Sequence, residues 1–302
     1  MIRYLGRRLL RASLLLLGVS VLSFALFELA PGDYFDELRL NPAVSSQTIS
    51  TLRQRHGLDA AMPLRYVRWL GSVLSGDWGI SVAYNTAAAP LIWQRAGNTL
   101  LLTASAAFFA WAIALPLGIW AAAGRRWRGI SVTLLTVTLV AVPEVLIVLL
   151  LMLLASEFRA VPLGGMHLAV PGTALMLSAL PVFVAHIRTA IAEVLDLPFI
   201  TAARANGVPR LRLLIRHALP AAANPLITLL GLSIGMLLSS GLLVEAIVGW
   251  PGLGRLLFEA ILERDLYVVV GAVMLSAVLL IAGSLIADLL LYAADPRIRE
   301  ES

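Results

Sequence analysis

Six stretches of this chain are long and apolar enough to cross a lipid bilayer, and no other feature limits its fold as strongly. They run over roughly Leu9–Ala30, Thr99–Ala123, Ile130–Ala155, Pro171–Ile191, Pro225–Val248 and Tyr267–Tyr292. Each reaches the about 20 apolar residues that a helix needs to traverse the hydrocarbon core. Inside lipid a backbone amide or carbonyl finds no water, so a spanning segment must be a helix that satisfies its own hydrogen bonds. The expected fold is an all-α membrane protein with six transmembrane helices. Residues 1–30 would hold the N-terminus and first span, 31–97 a small external segment, 98–292 the other five spans, and 293–302 a tail. A composition of 60% hydrophobic and 14% charged residues agrees with lipid as the main solvent.

Six crossings put both termini on one side, and the arginines indicate which. Arg3, Arg7, Arg8 and Arg11 precede the first span; Arg125, Arg126 and Arg128 follow the second; Arg204, Arg210, Arg212 and Arg216 follow the fourth; Arg297 and Arg299 follow the sixth. Arg188, near the end of the fourth span, belongs to the same side. Of the remaining nine arginines, six lie in 31–97, a segment too long to weigh much in the positive-inside rule. Both termini and the loop 193–223 are therefore expected on the cytoplasmic side of the membrane, with the loop 248–266 outside. The first span reads as a retained anchor, since its apolar run exceeds that of a signal peptide and no Ala-x-Ala-like site precedes Pro31-Gly32-Asp33.

Several chemistries are excluded by what the chain lacks. It has no Cys, so disulfides, thiolate metal sites and Cys nucleophiles are unavailable. All 23 basic residues are Arg, and without Lys there is no P-loop to hold a nucleotide phosphate. Any nucleotide energy must therefore come from another polypeptide. The net charge of +5 gathers at the ends of apolar runs, as orientation signals do, so nucleic acid is not an expected partner. His56 and His167 have no second ligand at useful spacing, and no metal, cofactor or enzymatic activity is expected of this chain. Pro116, Pro143 and Pro181 fall within spans, which calls for a packed bundle that satisfies the freed carbonyls. Gly231, Gly235, Ser239, Ser240 and Gly241 allow close helix approach in the fifth span. Helix-like stretches near Ser46–Arg55 and Leu64–Leu74 point to a small external cap.

The polar loop 196–220 looks built for docking. Pro198 suits the first turn of a helix, and Asp196 just before it can cap or offset the positive helix end. Phe199 to Asn206 gives two short turns, Gly207 breaks them, Pro209 opens a second helix and Pro220 ends or kinks it. Thr201, Ala202, Ala203 and Ala205 carry little bulk, so the first helix fits deep in a partner's groove. Arg210, Arg212 and Arg216 suit acidic rims or anionic headgroups. A plain amphipathic surface helix is the competing reading of these residues alone.

The spacing Thr201-Ala202-Ala203, Gly207, His217, Leu219-Pro220 resembles the EAA loop of permease subunits in binding-protein-dependent ABC importers. Thr201 stands where Glu is usual and His217 where Ile is usual, a version that is similar to the dipeptide and oligopeptide branch. The resemblance extends over Arg7-Arg8, Phe24 and Pro31–Asp33, Gly57–Asp59, Tyr66, Trp69–Gly71 and Gly76–Ser81. It continues over Glu245 with Gly249–Leu257, Arg264-Asp265, Asp288 and Asp295–Arg299. It implies type I importer permease architecture and a pore-forming role in peptide uptake, with a nickel or other small-solute importer as the alternative. It also implies a second, homologous permease, two ATP-binding subunits docked on Phe199, Thr201, Ala202, Ala203, Arg204, Asn206, Gly207, Arg210, Arg212 and His217, and an external binding protein.

On the external side the resemblance directs attention to Glu245, Trp250, Pro251, Gly252, Gly254 and Arg255 as the substrate-delivery loop. The residues themselves call for a tight turn at Trp250–Gly254, with the two glycines flanking Leu253 supplying conformations a Cβ forbids. Arg255, Glu259, Glu263, Arg264 and Asp265 read as local ion pairs. Glu144, after Pro143 in the third span, is costly there unless it faces a cavity or partner; it is a candidate for the translocation path, drawing cationic groups such as a peptide amine. A secondary transporter would show internal repeats and intramembrane ion sites, and an intramembrane protease would need a Ser-His or paired-carboxylate set within the spans. Neither pattern is found.

Overall fold

A computed structural model of the chain describes residues 2–29, 46–55, 60–157 and 167–294. The motifs Pro31–Asp33 and Gly57–Asp59, His56 and the tail Asp295–Arg299 lie outside the described residues. The elements in order are α1 (Ile2–Leu29), α2 (Ser46–Arg55), α3 (Met62–Leu74), β1 (Ile80–Ser81), β2 (Thr86–Ala87), α4 (Ala88–Ala123), α5 (Arg126–Ala141) and α6 (Glu144–Glu157). They continue with α7 (Ala169–Leu195), α8 (Pro198–Ala205), α9 (Arg210–Leu213), a π-turn over Leu214–Ala218, α10 (Leu219–Ala221), α11 (Ala223–Val248), α12 (Leu253–Leu262) and α13 (Leu266–Ala294).

Among the described residues five helices, α1, α4, α7, α11 and α13, are each long and apolar enough to span a bilayer, and α5 with α6 makes a sixth crossing if the bent pair counts as one span. The third crossing was expected as one helix over 130–155. It is two helices of 16 and 14 residues meeting at 91°. Pro143 is the cause: it lacks an N–H and disfavours helical geometry at the residue before it. Val142 duly sits at φ −87°, ψ 118°. Pro116 and Pro181, by contrast, stay inside continuous helices. The second span also begins earlier than expected, at Ala88, so the last residues assigned to the external segment are helical.

The chain divides into two compact units, one of residues 100–250 with the stretch from Leu280, the other of residues 2–99 with 251–279. In the first unit α7 is central: it packs against α5, α6 and α11, and buries a larger share of its apolar window, 56%, than any other candidate span. Its Phe183, fully buried, meets the ring of Trp111 at 5.4 Å, and the Trp111 indole donates to Ser233 Oγ at 3.3 Å. Gly231 permits the close approach expected of it, since a Cβ there would fall 2.0 Å from the Ala287 methyl. Arg188, near the end of α7, donates to Thr133 Oγ1 on α5.

In the second unit α1 lies on α3. Phe24 stacks near Tyr66 (5.3 Å) and Trp69 (5.1 Å), Ser20 Oγ and the Tyr66 hydroxyl share a 2.9 Å hydrogen bond, and Arg65 pairs with Glu28. Among the described residues, a two-stranded antiparallel hairpin, Ile80 opposite Ala87 and Ser81 opposite Thr86, is the departure from an all-helical chain. Buried Asp265 holds it: Ser81 Oγ donates to Asp265 Oδ2 at 2.5 Å and the Ala83 amide donates to the same oxygen at 3.2 Å.

Candidate functional site

The loop after α7 folds as a helix, a sharp turn and a second helix, as its prolines and glycine require. Pro198 is the first residue of α8, and Leu197, in extended geometry, precedes it without a side-chain cap. Asp196 therefore does not cap α8; it closes α7 instead, because the extended residue Pro198 demands before it is Leu197. At the other end Gly207 takes φ +77°. The Val208 amide donates to Ala203 O at 3.2 Å and the Gly207 amide to Arg204 O at 3.1 Å, the paired bonds of a Schellman terminus. Pro209 opens α9, and the chain loosens into a π-turn at Leu214–Ala218, just before Pro220.

The two faces of α8 differ. Ile200 is fully buried in the core of the first unit, and Ala203 packs against that core. Phe199 (47% exposed), Thr201, Ala202, Arg204, Asn206, Gly207, Arg210 and Arg212 are all solvent-facing, whereas His217 is half-buried. Leu197, Leu211 (70%) and Ile215 (59%) join Phe199 as exposed apolar side chains. Exposed apolar patches of this kind mark contact surfaces. Of the small residues expected to face a partner, Ala203 faces inward. Ile200 was not singled out by the sequence; its signal is its spacing of three from Ala203, which puts both on one side of a helix.

Beside α8 lies a cleft of 520 Å³ between the loop and the end of α4, lined by Ala122, Ala123, Gly124, Leu195, Asp196, Arg204, Val208, Arg210, Leu213 and Leu214.

The residues of the other candidate loop fall in different settings. Glu245 and Trp250 are buried in the first unit, Trp250 among its core residues at 1% exposure, so its ring is a packing element and does not face a substrate. The left-handed position is Gly249 at φ +79°, which ends α11. Gly252 is extended at φ −106°, ψ −168°, and Gly254 lies in the first turn of α12; the glycines flanking Leu253 therefore do not make the special conformation. In the second unit the Asn98 side chain donates to Pro251 O at 2.7 Å and the Leu253 amide donates to Thr99 Oγ1 at 2.8 Å. Arg255 forms the expected local ion pair, with Glu259 at 2.6 Å. The Tyr84 hydroxyl donates to the other Glu259 oxygen at 2.8 Å. Burial, reinforced by that bond and by the carboxylate charge, pushes the Tyr84 phenol up to about 12. For Glu259 burial acts upward too, but the bonds from Arg255 and Tyr84 outweigh it and the carboxyl is held below its ordinary range.

Glu144 sits at the start of α6, at the bend, half-buried; its Oε1 is buried with no hydrogen-bond partner among the described residues. No group of three His, Asp or Glu able to hold a metal occurs among the described residues.

Comparison with known proteins agrees along the chain. The family described as binding-protein-dependent transport system inner membrane component matches residues 114–300, and its N-terminal companion matches residues 1–94. The oligopeptide transport system permease protein AppB of Bacillus subtilis is 32% identical over 99% of both chains. The glutathione transport system permease protein GsiC of Salmonella paratyphi A is 33% identical over 99% of both, and the dipeptide transport system permease protein DppB of Escherichia coli is 30% identical over the full length of both. Among solved structures, a chain of the MetNI methionine ABC transporter in an inward-facing conformation superposes with a TM-score of 0.60 at 19% identity, covering 68% of this chain and 96% of that one.

Proposed function

Since the chain belongs to the family of binding-protein-dependent transport system inner membrane components, we propose that it lines the pore of an ATP-driven importer of di- or oligopeptides. Peptide, dipeptide and glutathione permeases are the full-length relatives that support this cargo. The chain is a multi-pass membrane subunit and not itself an enzyme; ATP and Mg belong to partner subunits. In this reading one permease of the same family completes the pore, two ATP-binding subunits dock on the loop 196–220, and an external binding protein delivers cargo to the side of Glu245, Pro251 and Arg255. Both termini and the loop then face the cytoplasm, in keeping with the arginine distribution.

The observation that carries the proposal is the two-faced α8. Its Ile200 is locked into the core of the unit that holds α7, while Phe199, Thr201 and Ala202 stand free on the outer side. A short helix rigidly tied to a span and open to solvent acts as a lever: closure of the ATP-binding pair would draw such helices together and switch pore access by rigid-body movement. Reconstitution of the complex with its ATP-binding subunits and binding protein tests it. Peptide uptake should require ATP, and Phe199→Asp should abolish uptake together with retention of the ATP-binding subunits. Full retention and full uptake in that variant would refute the docking role.

Glu144 serves the path. A buried carboxylate oxygen without a partner, at a break in a span, suits the ammonium of a passing peptide. Glu144→Gln should lower uptake of free-amine peptides relative to N-acetylated ones; unchanged rate and unchanged preference would remove Glu144 from the path.

A further inference from the structure

The cleft beside α8, within the proposed docking loop, also gathers three charged side chains. Asp196, Arg204 and Arg210 all border it, and none of the three makes a side-chain hydrogen bond or ion pair with another described residue. Two guanidiniums and a carboxylate thus share one concave site with their bonding capacity unspent. The remaining wall is apolar, from Leu195, Leu213 and the small residues that end α4. At 520 Å³ the cleft holds about 17 waters at roughly 30 Å³ each, ample for a phosphate with its esterified alcohol.

A second, independent observation fixes the depth of this site. Trp120, on the last turn of α4, and Trp127, just after it, stand edge to face at 6.2 Å, are 42% and 55% exposed, and carry the Arg128 guanidinium over their rings at 5.2 and 5.5 Å. The Arg128 stem lies so close behind Gly124 that a Cβ at Gly124 would meet it at 2.6 Å, so the aromatic cluster and the cleft share the Gly124 wall. Exposed Trp backed by Arg at the end of an apolar helix marks the headgroup level of a bilayer.

We propose that this cleft binds a phospholipid headgroup of the phosphoethanolamine type. The phosphate lies between Arg204 and Arg210, which present fork-shaped donors suited to its oxygens. The ammonium meets Asp196, and the glycerol end rests on the Leu195 and Leu213 surface. The site needs only that this end of the helices reach a bilayer surface, whichever side it faces; because Arg204 and Arg210 also belong to the proposed docking loop, lipid retention and subunit retention are read separately. One lipid would then buttress the last turn of α8, where Arg204 lies.

Native mass spectrometry of the complex purified in mild detergent tests it, after exchange with equimolar phosphatidylethanolamine, phosphatidylglycerol and phosphatidylcholine. The wild type should retain phosphatidylethanolamine preferentially. Arg204→Gln and Arg210→Gln should each weaken retention about fivefold, Arg210→Lys should restore most of it, and Asp196→Asn should shift the preference towards phosphatidylglycerol. The same spectra report whether ATP-binding subunits stay attached. Equal lipid retention in wild type and both Gln variants, or no headgroup preference in the wild type, overturns the proposal. If instead the Gln variants lose only the ATP-binding subunits, the cleft is a protein contact and the lipid assignment fails. Loss of subunits from Phe199→Asp with lipid retained would leave this site standing.

Discussion

Gly207 offers the cleanest perturbation of the docking loop, because its role is purely conformational. Its φ is +77° and a Cβ built there meets no atom within 4 Å, so a side chain costs backbone strain and nothing from collision. For an L-residue in the left-handed region that strain is roughly 1–2 kcal/mol, least for Asn, whose short polar side chain tolerates the region. Escape to negative φ would break the two bonds that close α8, from Val208 and Gly207, each worth about 0.5–1.5 kcal/mol net. The strain route alone shifts the balance of loop geometries by about 5–30-fold, and an eight-residue helix has little stability of its own to resist. Uptake and ATP hydrolysis measured together in proteoliposomes should show peptide moved per ATP falling in the order Gly, Asn, Ala, Val at position 207, with subunit assembly unchanged. Wild-type coupling in Gly207→Val, or worse coupling for Asn than for Val, would refute the left-handed lever.

Other sites give shorter tests. Ile200→Ala empties a fully buried position and should cost about 2–5 kcal/mol of local stability, read as faster hydrogen exchange across 198–208, whereas Phe199→Ala should leave exchange unchanged and weaken retention of the ATP-binding subunits. Gly231→Ala should lower the thermal stability of the purified complex, by about 1–3 kcal/mol of overpacking. Gly235→Ala, whose nearest obstacle is Leu280 Cδ2 at 3.9 Å, should be neutral or slightly stabilising. The Tyr84–Glu259–Arg255 contact should persist across a wide pH range. The depressed Glu259 carboxyl contributes stability above its ordinary 4.5 that fades as pH falls below it. The raised Tyr84 phenol contributes stability below its ordinary 10.0 that is lost as pH climbs towards about 12. Tyr84→Phe should abolish the alkaline loss, followed by tryptophan fluorescence of the complex; an unchanged alkaline transition would count against the contact.

The apolar runs and the loop punctuation were legible in the sequence because both depend on local chemistry. Pro198, Gly207 and Pro209 each dictate backbone geometry within a residue or two, and the helix–turn–helix follows. Pro143 was legible as a disturbance but not in size, since whether a proline stays within a continuous helix, as Pro116 does, or splits it depends on what packs around the freed carbonyls. Long-range ties were invisible. The bond from Ser81 to Asp265 joins residues far apart in sequence, and Asp265 beside Arg264 read as half of a local ion pair. Trp250 misled for a related reason: an aromatic residue next to Pro and Gly reads as a loop residue, and only the assembled core shows that its ring is covered.

The right-angled break between α5 and α6 has a consequence for the life of the chain before assembly. The carbonyls of Val140 and Ala141 receive no hydrogen bond from another described residue, and the peptide run through them is exposed in the single chain. Each such group facing hydrocarbon costs several kcal/mol. Where the bent pair makes one crossing, a newly inserted copy carries a wet defect at the bend that water, thinned lipid or a polar neighbour relieves. Folding of this subunit is thereby linked by mass action to whatever covers the break, and orphan copies should be short-lived in the membrane.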